Sequence, residues 1–325
     1  MNKNQINFAI RAFVSVALII ILLYIMRDKY ADIINALKQM RVGIFVWAFF
    51  SFFAAISLAS IRLKLIVGAG QETDIKTREA LSLTLIGYFF NNFLPTAIGG
   101  DVIKAYYLSK KSGDKMASYT SVFIDRAMGL VTMVLMATAA LLFVQGEIVD
   151  LKIRRLIYAI TAVAVISILF LMNKNFARKF SFVLMFARPI EEKLKNAYNA
   201  IHSYKNHTVL IVKSLAISVV SQILFFASIG IAAISIGSNI SALQIFLRMP
   251  IISAMSLLPS INGLGIREGA TVLLFGPLIG KDKAFAVSVI WLFILFVISV
   301  IGGLVYALSP QFRVKLNKVM KDYDK

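Results

Sequence analysis

The sequence predicts an all-α polytopic integral membrane protein, and its composition and its long apolar runs are the evidence. Of the 325 residues, 59% are hydrophobic and 16% are charged, against roughly 45–50% and 25% in a soluble domain. Several apolar runs reach about 17 residues or more, enough to cross a hydrocarbon core of about 30 Å as helices, whereas barrel strands need only about ten alternating residues. The whole chain, 1–325, is therefore predicted to be a single membrane domain.

The first elements are a spanning helix, a surface helix and a second span. No small-residue cleavage site follows the apolar run from Phe8 to Met26, so this run predicts a spanning helix rather than a signal peptide. Apolar residues at helical spacing between Tyr30 and Met40 are separated by charges, which indicates a short helix in the interface. The second span is predicted from Val42 to Ser60, closed by Arg62 and Lys64.

The third apolar segment is too short to cross a membrane. It covers the fifteen residues from Ala80 to Leu94 before Pro95, which is about 22 Å of helix. Proline lacks a backbone donor, and Gly99-Gly100 permits a sharp turn. The chain is therefore predicted to reverse inside the membrane and to return as a short helix from Val102 to Leu108.

The second half of the chain contains a similar interrupted segment. The run from Ala242 to Leu258 is interrupted by Arg248 and Pro250, and a half-helix from Ile266 to Pro277 returns after the next break. Full spans are predicted elsewhere: Met116 to Val144, Leu156 to Met172, Thr208 to Ile236 and Ala284 to Leu308. The prediction is thus about six full spans and two re-entrant pairs.

The two breaks share a sequence motif. Asn91 to Asp101 recurs as Ser256 to Gly265, each with Leu-Pro, a hydroxyl residue and then glycine. We therefore predict an inverted-topology repeat, as in many secondary transporters, with approximate halves 42–144 and 208–308. The alternative is a chance match between two kinked spans. The residues predicted to break the backbone are Pro95, Gly99, Gly100, Pro259, Gly263 and Gly265.

Basic residues set the predicted orientation. Residues 173–207 contain seven Lys or Arg and two Glu, and an apolar stripe within them indicates an interfacial helix. By the positive-inside rule this linker and the basic C-terminal tail are cytoplasmic, and so is the N-terminus. The predicted location is the plasma (inner) membrane. The formal net charge of +19 is explained by such loops meeting anionic lipid, so no nucleic-acid partner is predicted.

Charged residues inside membrane segments are the candidates for substrate binding or coupling, because such charges are costly and usually face a cavity or a partner. The spacing of Asp101 and Lys104 allows them to pair on one helix face, and Arg126 with Glu268 is a candidate pair across the repeat. Neighbours in sequence point about 100° apart on a helix, which argues against an Arg267–Glu268 pair. The alternative is purely structural ion pairs or snorkelling at the interface. The candidates are Asp101, Lys104, Asp125, Arg126, Arg248, Arg267 and Glu268.

The breaks offer a second kind of binding group. A half-helix that starts after Gly99-Gly100 or Gly265 presents unpaired amides and a positive dipole end, which suit a phosphate. Arg126 and Arg267 would complete this phosphate cradle.

Other kinds of site find no support in the sequence. It contains no Walker A motif, no zinc-protease motif and no hydrolase nucleophile motif, so neither a cofactor nor an ATP-driven pump on this chain is predicted. There are no cysteines, and the two histidines, His202 and His207, lie in a polar loop. No metal site is predicted.

Three segments carry a resemblance to a known family. They are Asn91 to Tyr107 with its Gly-Gly-Asp, Ser121 to Arg126, and Leu258 to Glu268. In order along the chain they resemble the signature segments of the flippase-like membrane domain of lysylphosphatidylglycerol synthases, the multiple peptide resistance factor family. The resemblance implies translocation of an aminoacylated phospholipid, with a link to antibiotic resistance, and it matches Asp101, Asp125, Arg126, Arg267 and Glu268 to the family's polar positions.

The sequence departs from full-length family members because it ends about fifteen residues after its last predicted span. No synthase domain is therefore expected, and transferase activity is not expected either. Stand-alone relatives in cell-envelope glycan pathways imply a polyprenyl-phosphate lipid as another substrate class.

The functional prediction is a lipid flippase that moves an anionic or aminoacylated phospholipid or a polyprenyl-phosphate-linked lipid between leaflets. Arg126 and Arg267 would bind phosphate, while Asp101, Asp125 and Glu268 would bind a cationic group or relay protons. One alternative is a phosphatidylglycerol lysyltransferase. Another is a non-transporting partner of a separate cell-envelope synthase or glycosyltransferase. An oligomer is compatible with the sequence.

Overall fold

A computed structural model describes residues 24, 30–70, 74–93, 99–142, 151–172, 207–256, 258, 260 and 263–309. Within these residues the regular structure is helical and no strand occurs, which confirms the all-α fold class. The helices are α1 (Tyr30–Lys38), α2 (Val42–Gly70), α3 (Thr77–Phe93), α4 (Gly99–Ser112), α5 (Lys115–Leu142), α6 (Leu151–Met172), α7 (Thr208–Ser235), α8 (Ala242–Met255), α9 (Ile266–Ile279) and α10 (Lys281–Leu308).

Four of the described helices are long and apolar enough to cross a membrane: α2, α5, α7 and α10. They contain 28 or 29 residues each, or about 42 Å at 1.5 Å per residue. Four of the six predicted spans are thus confirmed as long apolar helices. The predicted span from Leu156 to Met172 lies in α6, which begins earlier, at Leu151. The predicted first span, Phe8 to Met26, and most of the linker 173–207 lie outside the described residues.

Helix α2 corrects the predicted end of the second span. The prediction placed that end at Ser60, with Arg62 and Lys64 outside the membrane segment, but the helix continues to Gly70. Arg62 is only 6% exposed. The sequence-based boundary was wrong because Arg62 is an interior residue with a charged partner in another helix, not a residue that marks the membrane surface.

The two short helix pairs lie where the breaks are predicted. Helix α3 ends at Phe93 and α4 begins at Gly99, while α8 ends at Met255 and α9 begins at Ile266. Gly99 and Gly100 were predicted to break the backbone before a helix from Val102, but they are the first two residues of α4. The backbone at Gly263 and Gly265 has φ of +75° and +82°, a conformation that favours glycine. Pro95 and Pro259 lie outside the described residues. Pro250 does not interrupt α8, which runs through it.

The described helices pack as two sets of four with matching neighbours. In the first set α2 contacts α3, α3 contacts α4, α4 contacts α5, and α5 closes on α2. In the second set α7 contacts α8, α8 contacts α9, α9 contacts α10, and α10 closes on α7. Between the sets, the contact of α3 with α10 corresponds to the contact of α8 with α5. The pattern of neighbours is therefore unchanged when each helix is exchanged for its counterpart in the other set: α2 for α7, α3 for α8, α4 for α9 and α5 for α10.

The most extensive contact joins the corresponding helices α2 and α7, which run antiparallel. The Ser51 hydroxyl donates to the carbonyl of Leu224 (2.7 Å), and the Ser221 hydroxyl donates to the carbonyl of Ala55 (2.9 Å). Positions later in α2 thus meet positions earlier in α7. Antiparallel corresponding helices are what an inverted-topology repeat produces. The re-entry of both short pairs into the bilayer stays a prediction.

An apolar core joins the two sets of helices. Phe52 of α2 lies 5.6 Å from Phe225 of α7, which lies 5.8 Å from Trp291 of α10, measured between ring centroids. Ile290, Ile294 and Phe226 are almost fully buried in the same cluster. The large aromatic contacts hold α2, α7 and α10 together beside the polar residues.

Candidate functional site

A polar cavity of about 370 Å³ lies where the two sets meet. Each of the eight helices of the two sets contributes at least one lining residue, from α2 through α5 and from α7 through α10. Five of the seven predicted charged residues line it, and a sixth, Glu268, is the neighbour and ion-pair partner of the lining residue Arg267. The charged residues on the cavity wall, among those that the structure describes, are Arg62, Asp101, Lys104, Asp125, Arg126 and Arg267.

The first charged group is an ion pair between α2 and α5. The Nε of Arg62 donates to Oδ1 of Asp125 (2.7 Å), and its Nη1 donates to the hydroxyl of Ser218 on α7 (2.8 Å). The two charged side chains are 8% and 12% exposed. The pair therefore neutralises two interior charges and ties three helices together. Asp125 turns away from its neighbour Arg126, as its position on the helix predicts.

The second group has two cations on one carboxylate. Lys104 Nζ lies 3.1 Å from Oδ1 of Asp101, which confirms the pair predicted from their three-residue spacing. The Nη1 of Arg126, on α5, contacts the other oxygen, Oδ2. The Asp101 and Lys104 side chains are 16% and 13% exposed, and that of Arg126 is 29% exposed. This cluster carries more positive than negative charge.

The third group lies at the start of α9. Arg267 donates through Nε and Nη2 to Oε1 of Glu268 (3.0 and 2.6 Å). The other carboxylate oxygen, Oε2, accepts the backbone N–H of Gly265 (2.6 Å). The guanidinium of Arg267 also lies 5.1 Å from the centre of the Trp291 ring, a distance at which a cation is attracted to an aromatic face.

Two predicted pairings are corrected by this geometry. The Arg126–Glu268 pair was wrong, because Glu268 holds Arg267 and Gly265, whereas Arg126 contacts Asp101. The argument against an Arg267–Glu268 pair was also wrong. Glu268 reaches back to the helix start to accept an amide, and the long Arg267 side chain bends to meet it there.

The predicted unpaired amides at the half-helix starts are in fact capped by side chains. Oδ1 of Asn91, on α3, accepts the N–H of Gly100 (2.7 Å), and Glu268 accepts that of Gly265. At each half-helix start, a side chain of the protein thus accepts a hydrogen bond from a backbone N–H that has no acceptor within the helix. The phosphate cradle predicted at Gly100 and Gly265 is contradicted for these two amides.

Arg248 lies apart from the cavity wall. It is 6% exposed, and its Nε donates to the carbonyl of Leu274 on α9 (2.9 Å). This contact joins α8 to α9. Of the seven predicted charged residues, Arg248 is the one that the structure places in helix packing rather than at the cavity.

Several cavity residues were missed from the sequence. Arg62 could have been found, because the apolar run continues beyond it through Leu63 to Val67. Tyr88, Gln222 and Trp291 also line the cavity. Gln222 also had a local signal, because it is a polar residue near the middle of an apolar span. Nothing in the local sequence of Tyr88 or Trp291 marks them as cavity residues, since their place depends on contacts between distant helices.

The fold and the cavity define a polytopic integral membrane protein with a charged interior site between two sets of helices. A family model described as lysylphosphatidylglycerol synthase TM region matches residues 10–303, which is most of the chain. The chain belongs to this family, and it is accordingly a lipid-related membrane protein. A comparison with curated proteins finds no match.

Proposed function

We propose that the protein is a lipid translocator, in which the cavity carries the anionic head group of a membrane phospholipid or polyprenyl-phosphate lipid between leaflets. The observation that carries this proposal is the charged cavity lined by all eight helices of the two sets. The lipid tails stay in the bilayer, so only the head group needs a polar path.

The cost of the interior charges supports a functional role. An ionisable residue at membrane depth is costly, and such residues usually mark substrate or ion pathways. Ion pairs that served only to hold helices could be replaced by apolar packing with little loss of stability. Here the charged side chains surround an open space instead of filling it.

The charge balance supports an anionic head group. Among the described residues four cations line the cavity, while three carboxylates line it or bind its cations. Arg62 and Arg267 each hold one carboxylate, but Lys104 and Arg126 share Asp101. The net positive charge lies at this cluster, which suits a phosphate, and arginine can bind phosphate through two parallel hydrogen bonds.

The arrangement of helices supports movement across the membrane. Two sets with matching neighbours and antiparallel corresponding helices meet around the cavity. In transporters with such repeats, one set rocks against the other around a central site. We further propose a plasma-membrane location with cytoplasmic termini, and a separate lipid-modifying enzyme as a candidate partner.

Transport by the purified protein in proteoliposomes tests the proposal. The liposomes contain phosphatidylglycerol with a fluorescent label on its acyl chain. A membrane-impermeant reductant added outside destroys the fluorescence of labels in the outer leaflet, and the rate at which the remaining fluorescence is lost measures leaflet exchange. Lys104→Gln removes the excess positive charge of the cavity, so we expect the rate to fall by about tenfold or more, since a charge-assisted hydrogen bond contributes about 1.5–3 kcal/mol.

Lys111→Gln is the matched control, because it removes a second lysine from the same helix. Lys111 pairs with Glu79 (2.6 Å), but its side chain is 39% exposed and away from the cavity wall. This variant should transport at the wild-type rate. Equal rates for the wild type and Lys104→Gln, or exchange no faster than in empty liposomes, would contradict the proposal.

A further inference from the structure

A carboxylate lies within the cationic cluster that is proposed to bind phosphate. Asp101 lines the cavity together with Lys104 and Arg126. Its Oδ1 lies 3.1 Å from Nζ of Lys104, and its Oδ2 contacts Nη1 of Arg126. Asp101 is in the first turn of α4, so the helix dipole and the two cations all favour its ionised form. A site for an anion therefore keeps a negative charge of its own.

Close packing holds these charged groups in place. A Cβ added to Gly87 of α3 would lie 2.6 Å from Cε of Lys104, so the glycine leaves room for the lysine stem to lie against α3. A Cβ added to Gly100, the neighbour of Asp101, would lie 2.1 Å from the carbonyl oxygen of Gly87. The start of α4 is thus pressed against α3, and the Asp101 carboxylate stays at the cavity when a head group enters.

Asp101 sets the net charge of the cavity. The other two ion pairs that the structure describes there each join one arginine to one carboxylate, so they are neutral. In the remaining cluster, the two positive charges of Lys104 and Arg126 against the one negative charge of Asp101 leave a net charge of +1. Without the Asp101 carboxylate, the two cations would be uncompensated.

A phosphodiester matches this net charge, and a phosphomonoester does not. The diester carries one negative charge, whereas a monoester carries about −1.5 to −2 at pH 7. Charge that is left uncompensated inside a membrane protein is costly. A diester therefore leaves the filled cavity neutral, whereas a dianionic monoester leaves it with a negative charge beside the Asp101 carboxylate.

Building on the proposed function, we infer that Asp101 is the specificity-determining residue of the site, and that it selects a head group held by a phosphodiester over one that ends in a phosphomonoester. Lys104 and Arg126 bind the phosphate, and Asp101 limits the negative charge that they accept to one. Phosphatidylglycerol and a polyprenyl-phosphate sugar both meet this requirement. Phosphatidic acid and unsubstituted polyprenyl phosphate do not.

Lipid binding by the purified protein tests the inference without relying on transport. Each of these four lipids, radiolabelled, is titrated onto the immobilised protein in detergent at about pH 8, where a monoester with a second pKa of about 6 is largely dianionic. The dissociation constants are compared within each pair, phosphatidylglycerol with phosphatidic acid and the polyprenyl-phosphate sugar with polyprenyl phosphate. The pair that binds more tightly identifies the source of the phosphate.

In the wild-type protein, we expect the diester to bind about tenfold more tightly than the monoester of the same pair, a difference that displacement of charge compensation readily supplies. Asp101→Asn raises the net charge of the cluster by one, so the monoester should then bind at least as tightly as the diester. Asp101→Glu keeps the carboxylate and should keep the preference for the diester.

Asp114→Asn is the matched control, because it makes the same substitution at an exposed position away from the cavity wall. Oδ1 of Asp114 accepts the N–H of Ala117 (3.0 Å), and asparagine can accept the same hydrogen bond. This variant should therefore keep the wild-type preference.

Two results would overturn the inference: a monoester that binds the wild-type protein as tightly as the diester of its pair, or an Asp101→Asn protein that keeps the wild-type preference. Binding of none of the four lipids would contradict it as well. The wild-type comparison uses one folded protein, so it does not depend on the stability of any variant. Diester-selective binding without leaflet exchange would refute only the proposed transport. Leaflet exchange without this selectivity would refute only the role of Asp101.

Discussion

Arg62 and Asp125 illustrate how the interior of the protein accommodates charge. Their side chains are 8% and 12% exposed and meet at 2.7 Å, and Ser218 accepts a further guanidinium N–H (2.8 Å). A buried carboxylate is tolerated because a cation and hydrogen bonds replace its hydration. Replacing either partner alone is therefore expected to lower the free energy of unfolding more than replacing both.

We predict that Arg62→Met destabilises the protein by about 3–5 kcal/mol, the usual cost of leaving one partner of a buried pair uncompensated. The double variant Arg62→Met/Asp125→Leu should recover most of that loss, because no buried charge remains without a partner. Thermal unfolding of the detergent-purified variants measures both effects. If the double variant were no more stable than Arg62→Met, the pairing of these residues would not be the source of the loss.

The charged residues also show which contacts sequence can predict. The Asp101–Lys104 pair follows from a three-residue spacing on one helix. The Arg267–Glu268 pair does not, because it depends on Glu268 bending back to the N–H of Gly265. Arg126 finds its carboxylate 25 residues away on another helix, and spacing along the chain carries no information on such a contact.

At the scale of helices, two close contacts hold α3 in place. A Cβ added to Gly100 of α4 would lie 2.1 Å from the carbonyl oxygen of Gly87, and one added to Gly302 of α10 would lie 2.0 Å from that of Leu85. Small residues at these positions let the helix backbones approach closely, as is common in membrane helix packing. Helix α3 is thereby fixed between α4 and α10, with Tyr88 and Asn91 held at the cavity.

Gly100→Ala and Gly302→Ala should each lower the thermal stability of the protein markedly, because the added methyl groups would collide with backbone rather than with a movable side chain. Gly43→Ala is the control, since nothing lies within 4 Å of a Cβ at that position of α2. There the substitution should change stability by less than about 1 kcal/mol. Equal unfolding temperatures for Gly43→Ala and Gly302→Ala would show that these close contacts are not required.

The helices themselves were largely predictable, and their ends less so. Long apolar runs identified α2, α5, α7 and α10, because a bilayer requires uninterrupted apolar helices. The end of α2 was misplaced because Arg62 was interpreted as a surface charge. Pro250 was expected to interrupt α8, yet the helix continues through it, as membrane helices often do when neighbouring groups satisfy the freed carbonyl.

The whole molecule combines two similar sets of helices into one site. The repeated Leu-Pro motif predicted two related halves, which stays a prediction, and the two sets of helices have matching neighbours. The sequence could not predict that eight helices meet at one cavity. That meeting depends on contacts such as Ser51 with Leu224, 173 residues apart, which leave no local pattern.

The central claim is that this cavity is a transport path, and accessibility of the cavity from both sides of the membrane tests it most directly. The chain has no cysteine, so Ser253→Cys introduces a single thiol on the cavity wall. An anionic, membrane-impermeant methanethiosulfonate is applied to sealed vesicles of either orientation. The exposed positions Lys110 and Ser241, replaced by cysteine one at a time, serve as controls that should react from one side only.

We predict that Ser253→Cys reacts from both sides, because a translocator opens its site to each leaflet in turn. Reaction from one side only, or from neither, would contradict the account.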